Sequence, residues 1–301
     1  MNAAAPTHPP RITVITPSFN QAAYINQCVD SVLDQRYPNL QYLVLDGGST
    51  DDTLDILRGY RDRLVWKSER DRGQSHAVNK GLRAAEGEII GWLNSDDYYL
   101  PDCFARIVDC FAQHPNASMV YGRALMVDRG GDTLREYPTF RFARDDLRRK
   151  CYVCQPSVFI RRSALEEVGL LNESLDICLD YEWWLRIGRE HELAFCDHVL
   201  AASRHYETTK TAARRLRALV EAGYLMREHF GEASWRWSAK WVAHRWQLDR
   251  SRFWFPVVGW SAALRSALRF HRRFDSRSTP SRFGQKMIKR LKSPPTLRDS
   301  R

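Results

Sequence analysis

The feature that most constrains this chain is a rhythm. Short apolar runs, each ended by a polar cluster, alternate with segments whose apolar residues recur at helical spacing. Residues 12–16 form the first run, closed by Pro17, and residues 42–45 the second, closed by Asp46-Gly47-Gly48. Further runs cover residues 64–66, 89–93 and 119–127, the fourth ending in Asn94-Ser95-Asp96-Asp97. Between them, Tyr24, Ile25, Cys28, Val29, Val32 and Leu33 mark one helix, residues 75–85 a second with Gly81 inside, and Phe104, Ile107, Val108 and Phe111 another. Ser49 or Thr50 is expected to cap a helix that carries Asp51 and Asp52 in its first turn. Alternation of this kind predicts an α/β fold, a mostly parallel sheet flanked by helices. Ligands then bind outside the carboxyl ends of the strands. Pro17 to Asn20, Asp46 and Asp96-Asp97 should therefore open onto one edge.

Charge divides the chain. Residues 207–301 hold 22 lysines and arginines against 7 acids and six of the ten tryptophans, whereas residues 1–206 carry a small acidic excess. The expected organisation is a flexible 1–9, an α/β domain over 10–207 and a basic, Trp-rich helical tail over 208–301. In that tail Leu216, Leu219 and Val220 can face a core; Trp237 and Trp241 share one helix side and Trp235 and Trp246 the opposite one. One side can then pack on the front domain while the other, with the apolar run 253–264 and the basic cluster Lys286 to Lys292, suits an anionic membrane surface. A helical cap with a basic end is the plainer alternative. No run reaches the ~18 apolar residues of a membrane span. Residues 1–10 lack the pattern of a signal peptide, and seven cysteines in no disulfide-like framework suit a reducing compartment, so a cytoplasmic location is expected.

Thr16-Pro17-Ser18-Phe19-Asn20, Asp46 to Thr53 (DGGSTDDT), Asp71 to Ser75 (DRGQS) with Asn79-Lys80-Gly81, and Trp92 to Asp97 (WLNSDD) occur in that order. Together they resemble the inverting family 2 glycosyltransferases of the GT-A, Rossmann-like fold, the type that builds bacterial surface polysaccharides. Gln155-Pro156, Arg161-Arg162, Asn172-Glu173-Ser174 and Asp180 to Arg186 (DYEWWLR) resemble the acceptor half. The resemblance covers roughly residues 10–210. It implies transfer of a sugar from a nucleotide donor, a UDP-sugar first, to a hydroxyl of a saccharide or lipid-linked acceptor.

Asp96 and Asp97 are the expected ligands of a divalent metal, Mn2+ or Mg2+, because carboxylates at a strand end supply hard oxygens and leave positions for phosphates. The alternative is an ordinary turn before Pro101. Asn94 stands where the family often has Asp, and with Ser95 it is assigned to the nucleotide. Asp46 is implied to accept hydrogen bonds from the donor base or ribose; otherwise it caps a turn. Pro17, Phe19 and Asn20 are expected to wall the nucleotide, with Asp71 and Gln74 on the next loop and Lys80 either near the donor or solvated. His205 is implied to complete the metal site. Asp180 matches the family's usual general base, with Glu182 in reserve because Leu179 replaces the neighbouring acid. Competing readings are a nucleic-acid binder using the tail, which has no recognition-module signature; a nucleotidyltransferase, which would carry a Gly-rich basic loop after the first strand; and a catalytically dead homologue.

Overall fold

The computed structural model describes residues 8–141, 147 and 150–231. The first half of the chain reads β1 (Ile12–Ser18), α1 (Ile25–Leu33), β2 (Leu40–Asp46), α2 (Thr53–Gly59), β3 (Val65–Ser68), α3 (Gln74–Ala84) and β4 (Ile89–Trp92). Then come β5 (Tyr98–Tyr99), α4 (Cys103–Gln113), β6 (Ala117–Val127), β7 (Thr133–Glu136) and β8 (Val158–Arg161). The remainder is α5 (Arg162–Val168), α6 (Leu179–Glu190), β9 (Glu192–Arg204), α7 (Lys210–Ala213) and α8 (Arg215–Phe230).

One sheet runs β3-β2-β1-β4-β8-β6-β9-β5, with β7 paired to β6. Strands β3, β2, β1 and β4 are parallel. β8 then runs antiparallel to both β4 and β6, and β9 returns parallel to β6. The parallel expectation holds for the first four strands, and the reversal at β8 separates them from a mixed second half in which β5 and β7 also run antiparallel to their partners.

All seven residues of β1 are buried. Its faces alternate: Ile12 and Val14 join Ile25, Val29, Tyr42, Val44 and Phe104, while Ile15 joins Val78, Leu82, Trp92, Trp183 and Trp184. The register sets Ser18 beside Asp46 and Ile15 beside Trp92, so three polar loops leave the sheet at one edge. Gly81 explains itself here. A Cβ on it would come within 2.4 Å of Ile15 Cγ2, so the missing side chain lets α3 lie close on β1.

Two local expectations need correction. Helix α2 starts at Thr53 with Asp52 at its cap position, not at Ser49 or Thr50. The chain stays non-helical because Gly48 turns at φ 88°, the Ser49 hydroxyl bonds Asp46, and the Thr50 N–H goes to Asn20 Oδ1 at 2.8 Å. Helix α8 lies past the expected boundary at 207, yet its Leu219, Ala222, Leu225 and Met226 are buried in the same core as Trp183 and Trp184. Leu216, expected inward, is 38% exposed. The tryptophans and basic clusters beyond Gly231 lie outside the described residues. Among the described residues no helix is long and apolar enough to cross a membrane.

Gly81→Ala is expected to destabilise the fold by about 1–3 kcal/mol through overpacking against Ile15, despite alanine's better helix propensity. Gly59→Ala, with nothing within 4 Å of its added carbon, should be neutral or slightly stabilising. Denaturant unfolding of both variants checks the contrast.

Candidate functional site

The strand ends border a cleft of about 870 Å³, within the range of roughly 300–1,000 Å³ usual for small-molecule sites. Pro17 reaches it from the end of β1 and Phe19 from the loop after it, Asp71 and Gln74 from the loop after β3 and the start of α3, and Asn94, Ser95, Asp96 and Asp97 from the loop after β4. Cys178 and Asp180 enter at the start of α6, Arg204, His205 and Tyr206 at the end of β9, and Lys210 and Arg214 further on.

The first wall is built on loop-to-loop hydrogen bonds. Asn20 adopts φ 53°, donates its N–H to Ser49 Oγ at 2.8 Å and accepts the Thr50 N–H. It ties two loops together and is not part of the cleft lining. Asp46 likewise serves its own turn. Only 2% exposed, its carboxylate accepts the N–H groups of Gly48 and Ser49, both at 2.9 Å, and the hydroxyls of Ser49 and Ser68. Asp46 is not among the residues lining the cleft, and both its oxygens accept hydrogen bonds within its own turn and from Ser68, as the turn-capping alternative has it. The open acid on this wall is Asp71, whose Oδ1 accepts the Gly73 N–H at 2.7 Å. A Cβ on Gly47 would lie 2.7 Å from Asp71 Oδ2 and 3.4 Å from Phe19, so the bare glycine lets carboxylate and ring sit side by side. Phe19 is 57% exposed, an apolar face turned to solvent.

Asn94 sits at the centre of an amide network. Its Oδ1 accepts from Gln74 Nε2 at 2.7 Å and Trp92 Nε1 at 2.9 Å, and its Nδ2 donates to Gln155 Oε1 at 3.0 Å. Gln155 Nε2 in turn donates to the Trp92 carbonyl at 2.6 Å. A carboxylate at 94 would set an acceptor against Gln155 Oε1, so this neighbourhood calls for an amide.

Asp96 and Asp97 are held by the end of β9. Asp97 is 3% exposed, and its Oδ1 accepts the Arg204 N–H at 2.8 Å. The Arg204 guanidinium reaches the Asp96 carbonyl at 2.8 Å and Gln27 Oε1, and lies over the Tyr24 and Tyr98 rings. The Asp96 carboxylate accepts the Tyr206 hydroxyl at 3.0 Å. Burial pushes both carboxyls above their ordinary range, Asp97 further because Asp96 stands beside it. Burial also lowers the His205 imidazole, helped by Arg135. Asp96 and His205 thus offer a carboxylate and a neutral imidazole on the cleft, while Asp97, also in the lining, has Oδ1 engaged by the Arg204 N–H. Among the described residues no three His, Cys, Asp or Glu side chains gather as a metal-binding group.

Asp180 is the second residue of α6, an acid in the first turn, where the helix dipole favours its charge. Its Oδ1 accepts the Tyr181 N–H at 2.7 Å. Burial pushes its carboxyl up to about 6. Glu182, the reserve, is 1% exposed and locked to Arg186 through two bonds of 2.7 and 2.8 Å. It points into the core and does not reach the cleft. Lys80 also lies outside the lining, paired to Glu69 at 2.9 Å.

Arg204 and Tyr206 are site residues that reading the sequence passed over, although each adjoins His205, whereas Gln155 belongs to the motif that resembles the acceptor half. Nothing in the sequence says that Arg204 and Tyr206 bond residues more than a hundred positions earlier.

The chain is 30% identical over 186 residues to a PGL/p-HBAD biosynthesis glycosyltransferase of Mycobacterium bovis, covering 59% of this chain and 69% of that protein. The crystal structure of Staphylococcus aureus TarS 1–349 in complex with UDP-GlcNAc superposes with a TM-score of 0.62 at 17% identity, over 88% of this chain and 82% of that one. The mannosyltransferase PcManGT of Pyrobaculum calidifontis, in complex with GDP-Man and Mn2+, gives 0.58 at 20% identity over 96% and 87%. Both likenesses establish the GT-A-like fold. Residues 13–169 match glycosyl transferase family 2, and the chain belongs to that family.

Proposed function

We propose that this glycosyltransferase moves a sugar from a nucleoside-diphosphate donor, a UDP-sugar first, to a hydroxyl of a saccharide or lipid-linked acceptor, with inversion, in surface polysaccharide or glycolipid assembly. The observation that carries the reading is Asp180, a single carboxylate at a helix start on the cleft, with its pKa raised to about 6. The M. bovis relative is named for glycolipid-type biosynthesis, and the two structural neighbours hold UDP-GlcNAc and GDP-Man, which supports a donor of this class.

On this account Phe19 and Asp71 receive the nucleoside, the ring by stacking and the carboxylate as an acceptor for base or ribose donors. Asp96 and His205 would hold a divalent ion, Mn2+ or Mg2+, with the donor's phosphates completing its shell, and Asp97 would support from behind. When bound, the ion offsets charge growing on the diphosphate leaving group. Asp180 accepts the proton of the acceptor hydroxyl through Oδ2, since Oδ1 is engaged by Tyr181. The freed oxygen attacks the anomeric carbon as the bond to diphosphate breaks. One displacement without an enzyme nucleophile inverts the centre. Contact with anionic membrane is proposed for the basic segment past 231, outside the described residues.

UDP with Mn2+ should raise the melting temperature by several degrees, and Asp96→Asn should remove the metal-dependent part. No shift with UDP, GDP, dTDP or CDP at millimolar concentration would contradict the donor assignment.

Asp180→Asn should lower transfer by about 10²–10⁴-fold, and wild-type kcat/KM should rise with pH through about 6. Stability runs the other way. Below about pH 3.8 the acid is largely neutral in both folded and unfolded states; between there and about 6 only the unfolded chain ionises, so stability falls across that window and is level above it. Asp180→Asn should therefore be more stable than wild type at pH 8, by about 3 kcal/mol, and match it at about pH 3. Equal melting at both values would show that burial does not set this acid.

A further inference from the structure

The segment that delivers Asp180 to the cleft is held by a residue far along the chain. Backbone N–H groups of Asp176, Ile177 and Cys178 all donate to Glu221 on α8, at 3.3, 2.9 and 3.1 Å to Oε2, with Asp176 also 3.2 Å from Oε1. Arg217, one turn earlier on α8, donates to Oε1 at 3.1 Å. The Cys178 thiol donates to the Ala218 carbonyl at 3.3 Å. Outside this buried joint, the Asp176 carboxylate gathers Lys210, Arg214 and Arg217 at 3.1, 2.7 and 3.2 Å.

Glu221 is 0% exposed. A carboxylate on the inner face of a helix is costly unless hydrogen-bonded, and its partners here are consecutive amides of one loop and a guanidinium. An apolar residue would serve the packing of α8 better if nothing had to be gripped. The gripped loop ends at Cys178, the cap position of α6, two residues before Asp180. Ile177, Cys178, Asp180, Arg214 and Ala218 all line the cleft, so the joint is part of its wall.

We propose that Glu221 is a positioning residue: through the amides of 176–178 it fixes the start of α6, and with it the orientation and the dry surroundings of Asp180. The inference rests on the reading of Asp180 as the base. A base must be held to within a fraction of an ångström, and a shift of about 1 Å can cost on the order of 10²-fold in rate. Because α8 lies beyond the expected boundary of the catalytic domain, the assignment also makes this helix part of the machinery.

Glu221→Gln in the full chain tests it. The amide keeps one acceptor oxygen but turns an NH2 toward Arg217 and the Asp176 N–H. Donor-dependent turnover should fall about 10–100-fold, with the UDP and Mn2+ melting shift retained. The acid limb of the pH profile should also move below 6, because water reaches Asp180. The groups facing Asp180 are Lys210 from α7, Tyr137 after β7, Cys154 before β8 and Cys178 at the α6 cap. Lys210, released from Asp176, would act in the same direction. Asp176→Asn, which loosens only the outer ion cluster and keeps the fold, should show a smaller shift of the same sign. A Glu221→Gln protein that melts lower yet keeps the wild-type rate and acid limb would make Glu221 purely structural and overturn the proposal. Undiminished transfer by Asp180→Asn would instead remove the base itself, and this inference with it.

Discussion

Everything in the site depends on one constraint: β1 is buried along its whole length between two helical layers. A strand with no solvent face can neither slip nor twist away, since a one-residue change of register would exchange its two apolar sets. Its pairing with β2 and β4 therefore fixes where their polar ends emerge. Ser18, Asp46 and the turn beginning at Asn94 come out together because Ile12, Val14 and Ile15 have no other place to go. The close approach of α3 at Gly81 then delivers Gln74 to the same edge.

The acids of the cleft differ by what surrounds them. Asp46 is fully engaged in its turn, and Asp71 keeps an oxygen beside Phe19. Asp96 and Asp97 are adjacent and buried, yet the Arg204 guanidinium is spent on the Asp96 carbonyl rather than on either carboxylate. Asp180 sits apart from them on a helix start, with one backbone N–H and burial as the main influences. Carboxyl groups of the same kind thereby differ in accessibility and proton affinity through environment alone. Helix α6 is locked from the other side by the buried Glu182–Arg186 pair, whose guanidinium also reaches the carbonyls of Val168 and Leu170.

The sequence was readable wherever local pattern decides structure. Apolar runs gave β1, β2, β4 and β6 to within a few residues, and the polar clusters closing them marked the cleft. Side-chain direction was not readable. Asp46 and Asn20 belong to motifs that face a ligand by analogy, yet here they bond neighbouring loops, while Lys80 went to Glu69. Glu182 and Asp180 could be separated by helical angle, but only the core shows which one turns inward. Charge marks a change near residue 207 but says nothing of contacts across it. Averaging charge over the last 95 residues hid the fact that Lys210, Arg214 and Arg217 serve Asp176, and that α8 completes the core.

The central claim is a single displacement assisted by Asp180. It is tested most directly by proton NMR of the sugar first formed when an α-linked nucleotide sugar turns over, with acceptor or with water. The account predicts the β configuration at the anomeric carbon in the initial product. Initial formation of the α product would mean retention, hence a different mechanism, and would contradict the role given to Asp180.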